Sequence, residues 1–446
     1  MSKLLISVSG VRGVVGESLT AEVALEYSRA FGTYLKPGKV AVGGDTRRTG
    51  PMIKSAVMAG LMSTGHDVVD IDICPTPTVE MAVRDGDFAG GVAVTASHNP
   101  DQYNALKLIG PGGLFLSAPQ GTKVNSIYDS RKFKSANWQK TGTLDSDSEW
   151  IRRHTDRILN LNIISPKAIS GKKLKVVVDC VGGTAAYMAP DFFNRIGVSC
   201  ELINSEIGEK FPHPPEPTPE NLAQLSEAIK IAKADIGFAF DPDSDRLAIV
   251  DETGKPVGEE YTLALGCRYI LQREKGPIAV NLSSSLLNDF VAGEAGTKLY
   301  RTRVGERNVT EKLLKIRGVV GGEGNGGLIY PNLHWGRDAF LAAAVILQYL
   351  ATSGKTISIL AGELPRYVML KTKIDGTRAM IEKKSKALVK AFPKAKIDRL
   401  DGIKIYDKNW WVQIRASNTE PIARLMAEAE DMDKAKSLIA AVKAVL

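Results

Sequence analysis

Short apolar runs bounded by turn residues alternate with longer stretches of helical period along most of the chain. Residues 39–42, 68–73, 92–95, 173–179, 236–240, 247–250 and 278–282 read as strands, the last residues of several passing straight into glycine, proline or aspartate. Helical patterns cover 20–34, with Thr20 as N-cap, a segment starting near Pro51, and 150–160, 338–350 and 432–445. A further helix is expected over 222–233, with Thr218, Pro219 and Glu220 as its N-cap and first turn. The segment 117–148 is polar and weakly periodic, and reads as a helix with loops. Strands alternating with helices imply sheets covered on both faces, so the fold class is α/β with mixed or parallel sheets. From Pro365 the character changes to short strands and a closing helix, a small α+β domain. The division expected is 1–149, 150–256 and 257–364 as three similar α/β domains, and 365–446 as the α+β domain. No fixed-period repeat is visible, which excludes a solenoid.

Composition narrows the class. With 44% hydrophobic and 24% charged residues over 446 positions, the chain is an ordinary globular protein with large cores. A net charge of +8 is a mild excess without a Lys/Arg block, so no nucleic-acid partner is expected. The four cysteines (74, 180, 200 and 267) lie far apart, which suits neither a zinc site nor a disulfide scaffold, and a cytoplasmic location is expected. No stretch has the run of ~20 apolar residues that spans a bilayer, so no membrane partner is expected. Monomer and homodimer both remain open.

Four loops carry chemistry. Thr95-Ala96-Ser97-His98-Asn99-Pro100 follows a strand, and the turn at Asn99-Pro100 leaves Ser97 on a loop where a hydroxyl can meet a ligand. Asp241-Pro242-Asp243-Ser244-Asp245-Arg246 lies between two apolar strands. Its three carboxylates would repel unless they curl around one cation, and oxygen-only ligands select a hard ion. An EF-hand is excluded because Arg246 stands where that loop needs glycine. Magnesium is favoured because three protein ligands leave room for a phosphate oxygen. Gly322-Glu323-Gly324-Asn325-Gly326-Gly327 nominally matches a dinucleotide fingerprint, but no helix follows; Glu323 and Asn325 suit sugar hydroxyls instead. Arg415-Ala416-Ser417-Asn418-Thr419-Glu420-Pro421 combines a guanidinium, hydroxyls and backbone N–H groups as a phosphate dianion requires, and Arg424 adds to it.

These four motifs, in this order and across essentially the whole chain, resemble the α-D-phosphohexomutase superfamily. The resemblance implies four domains around a central cleft, each contributing one loop. It implies that Ser97 carries the transferred phosphoryl group and that Asp241, Asp243 and Asp245 hold one Mg2+ that also touches Ser97. A sugar 1,6-bisphosphate would be the intermediate, and the partner a small phosphosugar. By the same match Lys107, within Asn104-Ala105-Leu106-Lys107, is the general acid or base, which requires a lowered pKa. Arg12, Arg47, His98 and Arg246 would line the transfer site. Arg415, Ser417, Asn418 and Thr419 would grip the far phosphate. Val304-Gly305-Glu306-Arg307, with Arg307 a substrate contact, and the Glu-Gly-Asn-Gly-Gly loop look most like the phosphoglucosamine mutase branch; phosphomannomutases and phosphoglucomutases use close variants.

One position departs from the pattern. Many members end the sugar loop in histidine, where this chain has Gly327; His334 stands nearby and is expected at the surface. A serine hydrolase is disfavoured because Ser97 lacks the flanking glycines of a nucleophile elbow. A non-catalytic sugar-phosphate sensor would keep the aspartates and Arg415 but need no phosphorylated serine.

Overall fold

The computed structural model describes residues 2–416 and 422–446. They form two compact units, one of residues 2–262 with 326–358, the other of 263–325 with 359–446.

In the first unit a mixed sheet runs in the order Leu5–Ser7, Gly10–Val14, Tyr103–Gly110, Phe88–Val94, Lys39–Gly44, Val68–Ile73 and Leu144–Ser146. Phe88–Val94 lies parallel to Lys39–Gly44 but antiparallel to Tyr103–Gly110. The Ser97 segment is therefore the loop of a hairpin. Helix Ala21–Tyr34 begins at Thr20, whose side chain accepts from the Val23 N–H as expected. The polar stretch after Ser117 holds helix Ala118–Ser130 and also the strand Leu144–Ser146. That strand was not anticipated: all three of its residues are exposed at the sheet edge, so no alternation marks it.

A second sheet of the same unit runs Ser199–Ile203, Lys175–Asp179, Ile236–Phe240, Leu247–Val250. Its last pair is antiparallel with Phe240 opposite Leu247, so the aspartate segment 241–246 is also a hairpin loop. The proline-rich run differs from expectation. Pro219–Asn221 form a separate 3-10 turn, the α-helix is Ala223–Ala232, and Thr218 makes no side-chain cap. Helix Ala339–Ser353 is buried from Ala339 through Ala351, and Phe340 packs against Phe240 at 4.6 Å and Phe192 at 5.0 Å between ring centres. Burial on every face explains why its pattern is apolar rather than amphipathic.

The second unit contains the parallel strands Leu299–Thr302, Ile278–Asn281 and Val320–Glu323. It also contains an antiparallel sheet ordered Val368–Asp375, Ile422–Ala429, Trp411–Ala416, Ile403–Tyr406, Lys396–Asp398. Helices Arg378–Lys390 and Met432–Lys443 supply Ile381, Leu388, Leu438 and Val442 to the core of that sheet. Among the described residues no helix is long and apolar enough to cross a membrane.

Phe340→Ala would empty a fully buried ring site, so a loss of about 3–5 kcal/mol is expected. A denaturant midpoint equal to wild type for the first unit would show that the aromatic cluster is not what holds this helix.

Candidate active site

Ser97 adopts a left-handed backbone, φ 50°, held by its N–H donating to Thr95 Oγ1 at 2.9 Å. Thr95 in turn donates to Asp45 Oδ2 at 2.6 Å. Arg47 clamps the loop from beneath. Its guanidinium donates to Asp45 (3.1 Å) and to the carbonyls of Ser97 (2.5 Å), Asn99 (2.6 Å), Pro100 (2.8 Å) and Tyr103 (3.1 Å). A guanidinium has five N–H donors, and all five are engaged. Arg47 therefore lies under the serine loop, as lining of the site would have it, and shapes that loop through all of its donors. Ser97 is only 3% exposed, and its hydroxyl donates to Asp241 Oδ2 at 2.8 Å.

The aspartate loop is tied from several sides. Ser244, with φ 53°, accepts at its carbonyl from Ala339 N, and its hydroxyl bonds that of Thr184 at 2.9 Å. Thr76, opening helix Thr76–Asp85, donates its N–H to the Asp243 carbonyl and its hydroxyl to Asp243 Oδ2 at 2.6 Å. Within the carboxylates a division is visible. Asp241 Oδ1 accepts from the backbone N–H groups of Asp245 and Arg246, Asp243 Oδ2 from Thr76 and Lys107 (2.5 Å), and Asp245 Oδ2 from Arg337 (2.7 Å). Asp243 Oδ1 and Asp245 Oδ1 are buried without a hydrogen-bond partner. One oxygen from each aspartate lies within 4.8 Å of the others. Buried carboxylate oxygens left without donors on a converging triad fit a small hard cation such as Mg2+.

The surrounding cations follow from strand register. Arg12 faces Ala105, two residues before Lys107 on the neighbouring strand, so Arg12 and Lys107 share one sheet face. Arg12 donates to Asn99 Oδ1 at 2.5 Å. Arg246 Nε lies 3.5 Å from Asp245, and its Nη1 3.6 Å from Glu216. Burial and the neighbouring Arg246 and Arg12 push the His98 imidazole well below its usual pKa; burial and Arg246 likewise lower Arg12. Partly buried, mutually repelling groups of this kind favour a nearby anion. Burial and the repulsion of Asp245 and Asp243 raise Asp241 well above the carboxylate range. Lys107 departs from expectation. Burial would lower it, but the charges of Asp243 and Asp245 outweigh burial and leave its pKa raised.

His334 is also corrected: it is buried, not at the surface. Its Nε2 lies 3.0 Å from Asp338 Oδ2, which also meets His154 Nε2 at 2.7 Å. Asp338 Oδ1 meanwhile caps helix Ala339–Ser353 by accepting from Leu341 N. These three side chains could geometrically hold a metal. The Gly336 N–H, however, donates to His334 Nδ1 at 3.0 Å, which places the proton on Nε2 and closes that nitrogen to a cation. The cluster is a clasp that fixes the turn before the helix. Burial alone would raise Asp338, but the two imidazoles hold it below the carboxylate range.

In the second unit, Glu323 is buried and accepts from Asn281 Nδ2 and the Gly305 N–H, both at 2.8 Å. Asn325 Oδ1 is buried without a partner, open to a donor such as a hydroxyl. Arg307 lies on helix Glu306–Ile316 and pairs with Glu311 at 2.9 Å. Arg415 and Arg424 stand directly opposite on adjacent strands. Like charges in that register are unfavourable without an anion, and Arg415 Nε is buried without a hydrogen bond. Ser417, Asn418 and Thr419 lie outside the described residues.

Sequence reasoning missed Thr76, Asp45 and Arg337, which reach the loops from distant segments. The one local signal was Gly336-Arg337-Asp338 ahead of an apolar helix, which marks the helix start but not the 92-residue reach of Arg337 to Asp245.

Models of the phosphoglucomutase/phosphomannomutase domains match consecutive segments: α/β/α domain I over residues 3–135, II over 152–254, III over 258–367, and the C-terminal domain over 377–445. A phosphoglucomutase/phosphomannomutase of Thermococcus kodakarensis is 38% identical over 444 residues, covering 98% of this chain and 96% of that one. A probable phosphoglucosamine mutase of Methanopyrus kandleri is 37% identical over 435 residues, covering 96% and 95%. The crystal structure of a family protein from Burkholderia thailandensis superposes with a TM-score of 0.87 at 26% identity, covering 99% of this chain and 98% of that one.

Calorimetric titration of metal-free protein is expected to show uptake of one Mg2+, with Asp243→Asn weakening it by about tenfold or more. His154→Gln should leave the Mg2+ stoichiometry at one. Loss of Mg2+ uptake in the His154 variant would assign the ion to the wrong cluster.

Proposed function

Because the chain belongs to the phosphoglucomutase/phosphomannomutase family, and is thus a phosphohexomutase and an intramolecular phosphotransferase, we propose that it interconverts glucosamine 6-phosphate and glucosamine 1-phosphate. The observation that carries the mechanistic reading is the hydrogen bond from Ser97 Oγ to Asp241 at the mouth of the aspartate triad. Ser97 is assigned as phosphoryl carrier. In the first half-reaction the bond between Ser97 Oγ and phosphorus breaks as a sugar hydroxyl oxygen bonds phosphorus, giving a sugar 1,6-bisphosphate. Ser97 Oγ gains a proton as the hydroxyl loses one. In the second half-reaction Ser97 takes the other phosphoryl group and the product hydroxyl is restored.

Lys107 is assigned to hold the transferred proton. Arg12, His98 and Arg246 are assigned to the charge of the phosphoryl group, and Asp241, Asp243, Asp245 and Ser97 to the metal. Mg2+ bound there would neutralise charge on the transferring phosphoryl oxygens. Glu323, Asn325 and Arg307 are assigned to the sugar, and Arg415, Ser417, Asn418, Thr419 and Arg424 to the far phosphate. In this reading residues 1–149, 150–256, 257–364 and 365–446 are domains contributing the serine, aspartate, sugar and phosphate loops.

Val304-Gly305-Glu306-Arg307 and the sugar loop support the amino sugar, as do relatives named probable phosphoglucosamine mutase. A second reading, phosphomannomutase/phosphoglucomutase, is supported by the name of the Thermococcus relative.

The kcat/KM for the phosphates of glucosamine, glucose and mannose, with Mg2+ and a trace of bisphosphate, tests this. Glucosamine phosphate should lead by about tenfold or more, roughly 1.4 kcal/mol of transition-state discrimination, with Ser97→Ala inactive. A lead for glucose or mannose transfers the assignment to the second reading. Equal activity of Ser97→Ala removes the phosphoserine mechanism, and no turnover of any sugar returns the chain to a sensor.

A further inference from the structure

Gly327 needs no special backbone angle; what excludes a side chain there is another residue. A Cβ built on Gly327 would overlap Arg337 Cδ and come within 2.8 Å of its Cγ and 3.1 Å of its Cβ. The stem of Arg337 thus runs across the face of Gly327, in the space a histidine at 327 would need. Its Nη2 ends on Asp245 Oδ2 at 2.7 Å, and the side chain is buried.

Both flanks of Arg337 are anchored. Gly336 donates to His334 within the histidine clasp, and a Cβ on Gly336 would overlap the Glu80 carboxylate. Asp338 donates its N–H to the Leu328 carbonyl at 3.0 Å, caps the helix, and receives both imidazoles. The next residue, Ala339, donates to the Ser244 carbonyl inside the aspartate loop itself. The guanidinium is therefore delivered to Asp245 by a turn with little freedom of its own. Asp245 Oδ2 is occupied, while Oδ1 is buried with no hydrogen bond and has Arg246 Nε 3.5 Å away.

We propose that Arg337 is a positioning residue of the metal loop: passing over Gly327, it ties one oxygen of Asp245 so that the other is presented to the cation. The proposal rests on the metal reading of the three aspartates. It makes the glycine at 327 and the arginine at 337 a matched pair: a side chain at 327 and the present path of Arg337 exclude one another. Lys107 reaches the same Asp245 oxygen, but at 3.4 Å against 2.5 Å to Asp243, so its contact is the weaker of the two.

The test is a double-variant cycle with two readouts. Metal-free wild type, Gly327→Ala, Arg337→Ala and the double variant are titrated with Mg2+ by calorimetry, and kcat and KM for the sugar phosphate are measured in parallel. Each single variant is expected to weaken Mg2+ binding by about tenfold and to lower kcat more than it raises KM. The double variant should be no worse than Arg337→Ala, because the Cβ at 327 has room once Cγ and Cδ of residue 337 have gone. Losses that multiply in the double variant overturn the proposal, as does Mg2+ binding in Arg337→Ala equal to or tighter than wild type. Melting of each metal-free variant checks folding; should Arg337→Ala not fold, Arg337→Ser takes its place in the cycle with the same expected outcomes. Wild type that binds no Mg2+ removes the metal reading and this proposal with it. Wild-type binding with unaltered variants removes only the role of Arg337.

Discussion

Three buried carboxylates at alternate positions of one hairpin loop are the constraint that the first unit is arranged around. Asp241, Asp243 and Asp245 are almost fully removed from solvent, where like charges repel strongly and each needs a compensating donor or cation. The structure answers with groups from three separate segments: Thr76 from one helix start, Ser97 and Lys107 from one hairpin of the first sheet, and Arg337 from the turn before helix Ala339–Ser353. Buried ion pairs are poor contributors to net stability, since desolvation consumes most of the attraction. Their concentration here is better matched to holding the loops in one arrangement than to net stability, and that arrangement would suit a cation.

The same economy is visible in the backbone. Ser97 and Ser244, both non-glycine residues, adopt left-handed conformations at the tips of the two facing hairpin loops. Such conformations cost about 1–3 kcal/mol each and persist only where surrounding contacts impose them. Those contacts are explicit: Arg47 with Thr95 and Asp45 around Ser97, Thr184 and Ala339 around Ser244. The rigid sheets below set the strand ends, and the loops are bent to the chemistry by side chains from outside them.

The second unit uses a simpler device. Arg415 and Arg424 are placed in direct cross-strand register, one of them with a buried and unsatisfied Nε. Repulsion between the two guanidinium groups would be relieved by an anion between them. Together with the buried Asn325 oxygen the pair leaves this unit with polar groups suited to a phosphate and to hydroxyls.

Element order and the positions of the serine and aspartate loops were legible in the sequence because they depend on local pattern: apolar strands that stop shortly before Ser97 and at Asp241, and turns that only glycine, proline or aspartate make readily. The exposed strand Leu144–Ser146 and the 3-10 turn Pro219–Asn221 were not legible, since one buries nothing and the other competes with a plausible helix start. What tertiary structure alone decided is how each charged group is used. Arg47 read as lining the transfer site but spends its guanidinium on Asp45 and four backbone carbonyls; Lys107 read as an acid or base of lowered pKa but has it raised by two aspartates; His334 read as a surface residue but is buried in a clasp. The motif also could not explain Gly327, because the side chain that fills its space comes from Arg337 and ends on Asp245. Local pattern determines where the chain turns and which chemistry each turn offers. The state and direction of a buried charge depend on partners far away in sequence, and only the folded arrangement supplies those.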